Sequence, residues 1–322
     1  MKIAILGGYG RTQSVGAVFR ALRRAGHDVC HWPTLPVFDA QAPREPVDLL
    51  FSFKIGYDHV PRGWIKSHKI PVKLLWSFDD PHWIRSAEDT WFAEEHDIIL
   101  TSCQQSIDTY RVKGCPRAEF LPPAMDLEYY HDWKGKYGVD ELPSDLVSFF
   151  ATNLYPSRDF PNTFIDRGVM VDRLTTVFGE AFGLYGHSAA IESKPAYRGV
   201  LHWEGTLPRQ IEATQMNINS HVVNTDYLYF NERFFQIAST RRAMFVDRIP
   251  GFTDQFRDDQ FIFYSSLQEL VEKLHYFRGR RRELAEIGQR GFDRVAGWTY
   301  DAFVQQVMRV ADGGASMPCF LR

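Results

Sequence analysis

Lys2-Ile3-Ala4-Ile5-Leu6-Gly7-Gly8-Tyr9-Gly10 follows the first residue of the chain. Residues 2–6 form a short apolar run ended by turn residues, the pattern of a buried strand. The glycines make a turn, and the amphipathic stretch Ser14–Arg24, closed by Gly26, predicts a helix. Together they are one β-loop-α unit. Outward from it, strands are expected at residues 27–31, 48–53, 72–78 and 97–101. A helix at 106–112 and a strand at 119–121, before Pro122-Pro123, complete the first set. Short strands at this spacing, separated by helical stretches, predict a parallel sheet.

Residues 125–144, rich in Tyr, Asp, Gly and Pro without clear period, read as a linker, after which the pattern begins again. Strands are expected at 146–151, 184–186, 216–219, 243–246 and 262–264. Helices are expected within 163–178 and at 207–213 and 231–239. From 267 to 295 the spacing of Leu270, Leu274, Leu284 and Ile287 is helical, with a break at Gly279. A last helix runs over 300–310. The resulting fold class is α/β, with domains at 1–142 and 143–298 and a terminal helix and tail at 299–322.

Composition agrees with this organisation. The 322 residues are 44% hydrophobic and 24% charged, which excludes disordered, collagen-like and disulfide-scaffold classes. Such a length predicts two domains, each large enough for its own core. The net charge of −3 provides no global basic field for nucleic acid or anionic lipid. Cys30, Cys103, Cys115 and Cys319 form no C-x-x-C pair, and no secretory signal or membrane-spanning run is read. The expectation is a cytoplasmic protein with reduced thiols.

Residues in the second half narrow the function. Asn231-Glu232-Arg233-Phe234-Phe235-Gln236-Ile237-Ala238-Ser239 resembles the N-x-R-x-F-E-I-x-A segment of CgeB-type, spore-maturation-like glycosyltransferases, relatives of glycosyltransferase family 4. The resemblance continues through Pro250-Gly251-Phe252-Thr253-Asp254-Gln255-Phe256, Ser266-Leu267-Gln268-Glu269-Leu270 and Trp298-Thr299-Tyr300. Upstream it includes Trp76-Ser77-Phe78-Asp79-Asp80-Pro81 and Leu121-Pro122-Pro123-Ala124-Met125-Asp126. It implies a GT-B fold: two Rossmann-like domains facing a cleft, the second holding a nucleotide-sugar donor such as a UDP-sugar, and a C-terminal helix returning to the first. It also implies retention of anomeric configuration. Three positions depart from the pattern. Gln236 stands where the family usually has a Glu that accepts from the donor ribose, Leu228 lacks a carboxylate of the broader pattern, and Trp298 replaces a His.

Each candidate residue has a functional and a structural reading. Asn231 precedes a helix whose N-terminal N–H groups suit a diphosphate, with Arg233 adding charge; a plain capped helix is the alternative. Asn153 and Arg158 follow a strand, and Arg158 is the candidate for stabilising charge on a departing diphosphate, against a solvated ion pair with Asp159. His187 is a donor-side candidate or an exposed loop histidine. Gly8 and Gly10 belong to a turn that lets backbone approach a sugar or acceptor, or to an ordinary strand-helix turn. Asp79, Asp80 and His82 are candidates for orienting an acceptor hydroxyl, with a turn before Pro81 as the alternative. Adjacent carboxylates on an extended segment point to opposite sides, so no metal site is assigned there. Neither H-E-x-x-H nor a zinc-spaced cluster occurs among the eleven histidines. No cofactor is expected beyond the donor.

The partner is a nucleotide sugar donor, and the acceptor a glycan, a metabolite or a modified nucleobase. A run of arginines, Arg278, Arg280, Arg281 and Arg282, reads as a solvated face paired with Glu283 and Glu286, with nucleic acid the lesser reading. The leading function is a metal-independent, retaining glycosyltransferase. A non-catalytic sugar-nucleotide or glycan binder, or an epimerase or hydrolase on the same fold, are the alternatives.

Overall fold

The computed structural model describes residues 1–8, 14–34, 38–41, 44–53, 60–78, 91–130, 145–154, 163–201 and 206–321. Contacts divide the chain into two compact units: Met1–Ala124 with Leu228–Glu232 and Trp298–Leu321, and Met125–Tyr227 with Arg233–Gly297. Each contains a six-stranded sheet in which the paired neighbours are parallel.

The first sheet comprises β1 (Lys2–Gly7), β2 (Asp28–Pro33), β3 (Leu49–Phe53), β4 (Val72–Ser77), β5 (Ile98–Thr101) and β6 (Ala118–Phe120), ordered β2-β1-β3-β4-β5-β6. Strands covered on both faces need apolar residues without alternation, and all five residues of β3 are buried. Ala4, Leu6, Leu50, Leu75 and Ile99 contribute to one core, packed with Trp64, Ile65 and Tyr110. The helix Tyr300–Ala311 completes this unit, burying Phe303, Val304, Val307 and Val310. It packs on the helix Ser14–Arg24, where Arg24 pairs with Asp301 at 2.8 Å. Trp298 is fully buried, its indole N–H donating to the Pro123 carbonyl at 2.8 Å. Trp76 is equally buried and donates to Leu121, so its role is core packing; Trp91 packs against the same core.

The second sheet comprises β7 (Val147–Phe150), β8 (Phe182–Tyr185), β9 (Tyr197–Gly199), β10 (Met216–Asn219), β11 (Met244–Asp247) and β12 (Ile262–Tyr264), ordered β12-β11-β10-β7-β8-β9. Its core joins Val147, Phe149, Leu184, Ile218 and Phe245 to Met170, Leu174, Leu270, Leu274, Leu284 and Ile287 from surrounding helices. Asp166 caps the helix Arg167–Phe178 by accepting the Val169 N–H, and Ser266 caps Leu267–Phe277 by accepting that of Glu269. The expected break near Gly279 separates this last helix from Arg281–Val295.

The α/β class and the two parallel sheets are as the sequence predicted, and most strand ends fall within two residues. β9 was not foreseen. It is a three-residue edge strand with partly exposed residues, so it carries little apolar signal. The short return of Leu228–Glu232 to the first unit was also unforeseen. There the Phe230 N–H donates to Ser102 at 3.0 Å, and Tyr229 bridges Cys103.

Candidate functional site

In an open parallel sheet, ligands bind outside the carboxyl ends of strands, where the strand order reverses. In the second sheet that reversal lies at β7, flanked by β10 and β8. A small cavity of about 50 Å³ opens there, lined by Phe150 and Ala151 from the end of β7 and by Tyr185, Gly186 and His187 from the end of β8. Arg233 and Gln236, on the helix Glu232–Ser239, supply another wall. Gly186 is required by closeness: a Cβ there would lie 2.1 Å from the Ala151 carbonyl oxygen.

Three candidate residues distant in sequence, His187, Arg233 and Gln236, thus meet at one opening. Their spacing on the helix explains the last two, since residues three apart share a face. The Arg233 guanidinium lies 5.7 Å from the centre of the Phe149 ring. Asn153 lies between the segments following β7 and β8: its Oδ1 accepts the Leu154 N–H at 2.7 Å and the Ser188 hydroxyl at 3.4 Å.

Asn231 directly precedes the helix and belongs by its contacts to the first unit. Gly8, buried, follows β1 in that same unit. Gly10, Asp79, Asp80, His82 and Arg158 lie outside the described residues.

A buried polar network not foreseen from the sequence lies at the ends of β10 and β11. Asp247 and His221 are fully buried. The carboxylate accepts the His221 backbone N–H at 2.8 Å and its ring Nδ1–H at 2.6 Å, and the Asn224 amide adds a contact at 3.3 Å. Val222 and Asn224 in turn accept from Thr163 and Phe164, and Arg167 donates to the carbonyls of Ser220 and Asn153. The residues just after position 162 are therefore fastened to the same network that holds the end of β11. Only the run Asn217-Ile218-Asn219-Ser220-His221, polar where a buried strand ends, signals this in sequence.

Two further groups were missed. In the first unit the Ser14 hydroxyl hydrogen-bonds the Glu232 carboxylate and the Tyr300 hydroxyl. In the second, the Tyr185 hydroxyl donates to Asp145, and burial pushes both groups' pKa values up. Among the described residues, no group of three His, Cys, Asp or Glu side chains is placed to hold a metal ion.

The comparisons with known proteins meet this geometry in the second unit. Residues 167–309 match the family model described as glycosyl transferase-like. The segment runs from the helix behind the Arg167 contacts through Arg233 and Gln236 to the terminal helix. No curated protein matches the chain. Among solved structures, sucrose-phosphate synthase from Thermosynechococcus elongatus aligns with a TM-score of 0.65 at 12% identity, covering 97% of this chain and 98% of that one. Anabaena HepE in complex with UDP and glucose gives 0.63 at 12% identity, covering 97% and 100%. T4 phage BGT in complex with its UDP-glucose substrate gives 0.61 at 11% identity, covering 97% and 99%. The fold is thus the GT-B fold shared with these proteins, and residues 167–309 of the chain carry the glycosyl transferase-like match. None of its described helices is long and apolar enough to cross a membrane.

Proposed function

We propose that the protein transfers a sugar from a UDP-sugar to an acceptor hydroxyl, with retention and without a metal ion, and that it is related to CgeB-type enzymes. The observation carrying this reading is the convergence of His187, Arg233 and Gln236 at the carboxyl ends of β7 and β8, inside the glycosyl transferase-like segment. Two of the fold neighbours were solved with UDP and glucose or with UDP-glucose, which supports uracil as the base.

Breaking the bond between the anomeric carbon and the diphosphate leaves negative charge on the departing phosphate. Arg158 and Arg233, with the helix start after Asn231, take up that charge, the task a metal performs elsewhere. Asn153 and His187 contact the donor, and Gln236 offers its amide oxygen to the ribose hydroxyls. In the retaining step, the acceptor oxygen bonds the anomeric carbon on the face the diphosphate leaves, and the acceptor proton passes to a departing phosphate oxygen. Gly8 and Gly10 border the sugar or acceptor, while Asp79, Asp80 and His82 orient the acceptor hydroxyl. The acceptor is a glycan, a small metabolite or a modified nucleobase, and the reaction takes place in the cytoplasm. The proposed donor domain is 143–298 and the acceptor domain 1–142, with residues 299–322 returning to the latter.

Gln236 specifically favours a second reading, a binder that holds the nucleotide without transfer. A panel of nucleotide sugars, with and without sugar, nucleoside and glycan acceptors, separates the two when nucleotide diphosphate release is measured with and without chelator. Acceptor-dependent release of UDP that survives chelation, with a product of unchanged anomeric configuration, is expected. Binding without release supports the second reading, and release abolished by chelator removes the metal-free step.

A further inference from the structure

The second unit contains another cavity, at the opposite, amino end of its strands. It has a volume of about 320 Å³ and is bounded by Asp145 before β7, by Glu212, Thr214 and Gln215 before β10, and by Arg242, Arg281 and Leu284. That size lies within the range of small-molecule sites. Because β10 lies between β7 and β11, the walls differ in charge. On the β11 side are Arg242, just before that strand, and Arg281, which opens the helix Arg281–Val295. This helix is held close to the strand: at Gly288 a Cβ would lie 2.4 Å from the Arg241 carbonyl oxygen. Before β7 and β10 are the carboxylates of Asp145 and Glu212 and the amide of Gln215.

The two arginines set this cavity apart from an ordinary charged surface. Within the basic run, Arg280 pairs with Glu283 at 3.4 Å and Arg282 with Glu286 at 3.0 Å, as a solvated face requires. Arg281 and Arg242 have no ion-pair partner among the described residues, and both line the cavity. Opposite them, the Gln215 amide nitrogen is buried without a hydrogen-bond partner there, and buried Asp145 offers carboxylate oxygen. Guanidiniums on one wall suit a phosphate; carboxylates and an amide donor on the other suit hydroxyl groups.

Asp145 also links this cavity to the first. Its carboxylate accepts from the Tyr185 hydroxyl and from the Gln210 amide at 3.1 Å, and Tyr185 itself lines the opening at the carboxyl end of the sheet. One tyrosine therefore borders the proposed donor site and is held by a carboxylate that borders the second cavity.

We propose that the cavity between Arg242, Arg281 and Asp145 binds a small phosphate monoester bearing hydroxyl groups, and that its occupancy is transmitted to the donor site through the Asp145–Tyr185 hydrogen bond. A ligand hydroxyl donating to Asp145 Oδ2, the oxygen that already accepts from Tyr185 and Gln210, competes with the Tyr185 hydroxyl, which frees the ring at the donor opening to reposition. The binding half stands on this cavity alone, whereas the coupling half rests on the donor-site reading.

Calorimetry on the full chain tests both halves, with glucose 6-phosphate, inorganic phosphate and glucose as probes. Saturable binding is expected to be tightest for glucose 6-phosphate, weaker for phosphate and weakest for glucose. Arg242→Ala and Arg281→Ala should each weaken glucose 6-phosphate by roughly tenfold, as for loss of a charged hydrogen bond. An unchanged melting temperature is expected for both, because these side chains are at least partly exposed. Failure of all three probes to bind, or glucose 6-phosphate binding that survives both substitutions, overturns the site. For coupling, UDP affinity is measured with and without saturating glucose 6-phosphate. A shift that disappears in Tyr185→Phe, while glucose 6-phosphate still binds, is expected. UDP binding that ignores glucose 6-phosphate overturns the coupling, whereas failure of UDP to bind at all overturns the donor-site reading and leaves the binding half standing.

Discussion

In the first unit, buried polarity is mostly neutral. His96 contacts the Ser52 hydroxyl at 2.9 Å, Tyr110 donates to Ser77 at 2.8 Å, and Ser102 donates to the Phe78 carbonyl at 2.7 Å. Buried Glu95 receives backbone N–H groups of Gly63 and Ile65. In the second unit, ionisable side chains instead meet partners that order loops: Asp247 holds His221, Asp145 holds Tyr185, and Arg167 ties Asn153 to Ser220. Burying polar and ionisable groups is costly unless they are partnered, so their concentration in the second unit, among the described residues, marks where the fold sacrifices stability for a positioned polar surface. That unit also contains most of the glycosyl transferase-like segment.

The largest expected effect separates the units by their apolar cores. Removing the chain from Thr299 onward strips Phe303, Val304, Val307 and Val310 from the first unit. At roughly 1.5 to 3 kcal/mol for each buried side chain, the loss rivals the whole stability of a domain. Aggregation is expected, with amide exchange accelerating in β1, β3 and β4 before β7 and β10. A monodisperse truncation with both sheets protected would break the comparison at its base.

Next comes buried charge itself. Asp247→Ala leaves His221 and two backbone or amide donors without their acceptor, and should cost about 3 to 5 kcal/mol. Ser52→Ala, which removes a neutral contact from His96, should cost only about 1 kcal/mol. Denaturant titrations of the two variants compare them directly. Equal losses would mean that the units do not differ in the way their buried polarity is held.

The sequence exposed one side of this contrast better than the other. Unbroken apolar runs such as residues 3–6 and 49–51 announce strands covered on both faces, and Leu270, Leu274, Leu284 and Ile287 announce helices. The spacing of Arg233 and Gln236 placed two candidate residues on one helix face, and the loop after β8 added the candidate His187. What could not be read was which polar residues meet across long separations. Asp145 and Tyr185, or His221 and Asp247, are 40 and 26 positions apart, and each residue alone reads as an ordinary surface group. The partners of Ser14, more than 200 positions away, carry no local signal at all.

A smaller effect belongs to the first unit alone. Burial pushes the His96 imidazole down to about 4, from an ordinary value near 6.5. Between those values the unfolded chain binds a proton that the native state refuses. His96 therefore costs nothing above about pH 6.5, and stability falls as pH drops from there toward 4, by roughly 3 kcal/mol in all. His96→Gln, which stays neutral, should flatten this part of the pH–stability curve relative to the wild type. An identical slope in both proteins would show that His96 takes up its proton without unfolding, and that the first unit tolerates charge as the second does.

The smallest effect sharpens the contrast at the site itself. Gln236 presents a neutral amide to an opening it shares with Arg233 and His187. As Glu, it would accept from ribose hydroxyls with a charged oxygen, worth about 1.5 to 3 kcal/mol against about 0.5 to 1.5 for the neutral bond, a net gain of roughly 1 to 1.5 kcal/mol. The same charge near a diphosphate is repulsive, so the two parts of the nucleotide should respond differently. Uridine, which has no phosphate, should bind Gln236→Glu more tightly by roughly tenfold, while UDP should gain less. Measuring both ligands against both proteins isolates the proposed ribose contact from the proposed diphosphate contacts of Arg158 and Arg233. A gain that is equal for the two ligands would put the diphosphate outside the field of this helix face. No gain for uridine would remove Gln236 from the ribose site, and with it the reading that the charged unit evolved its neutral position for nucleotide recognition.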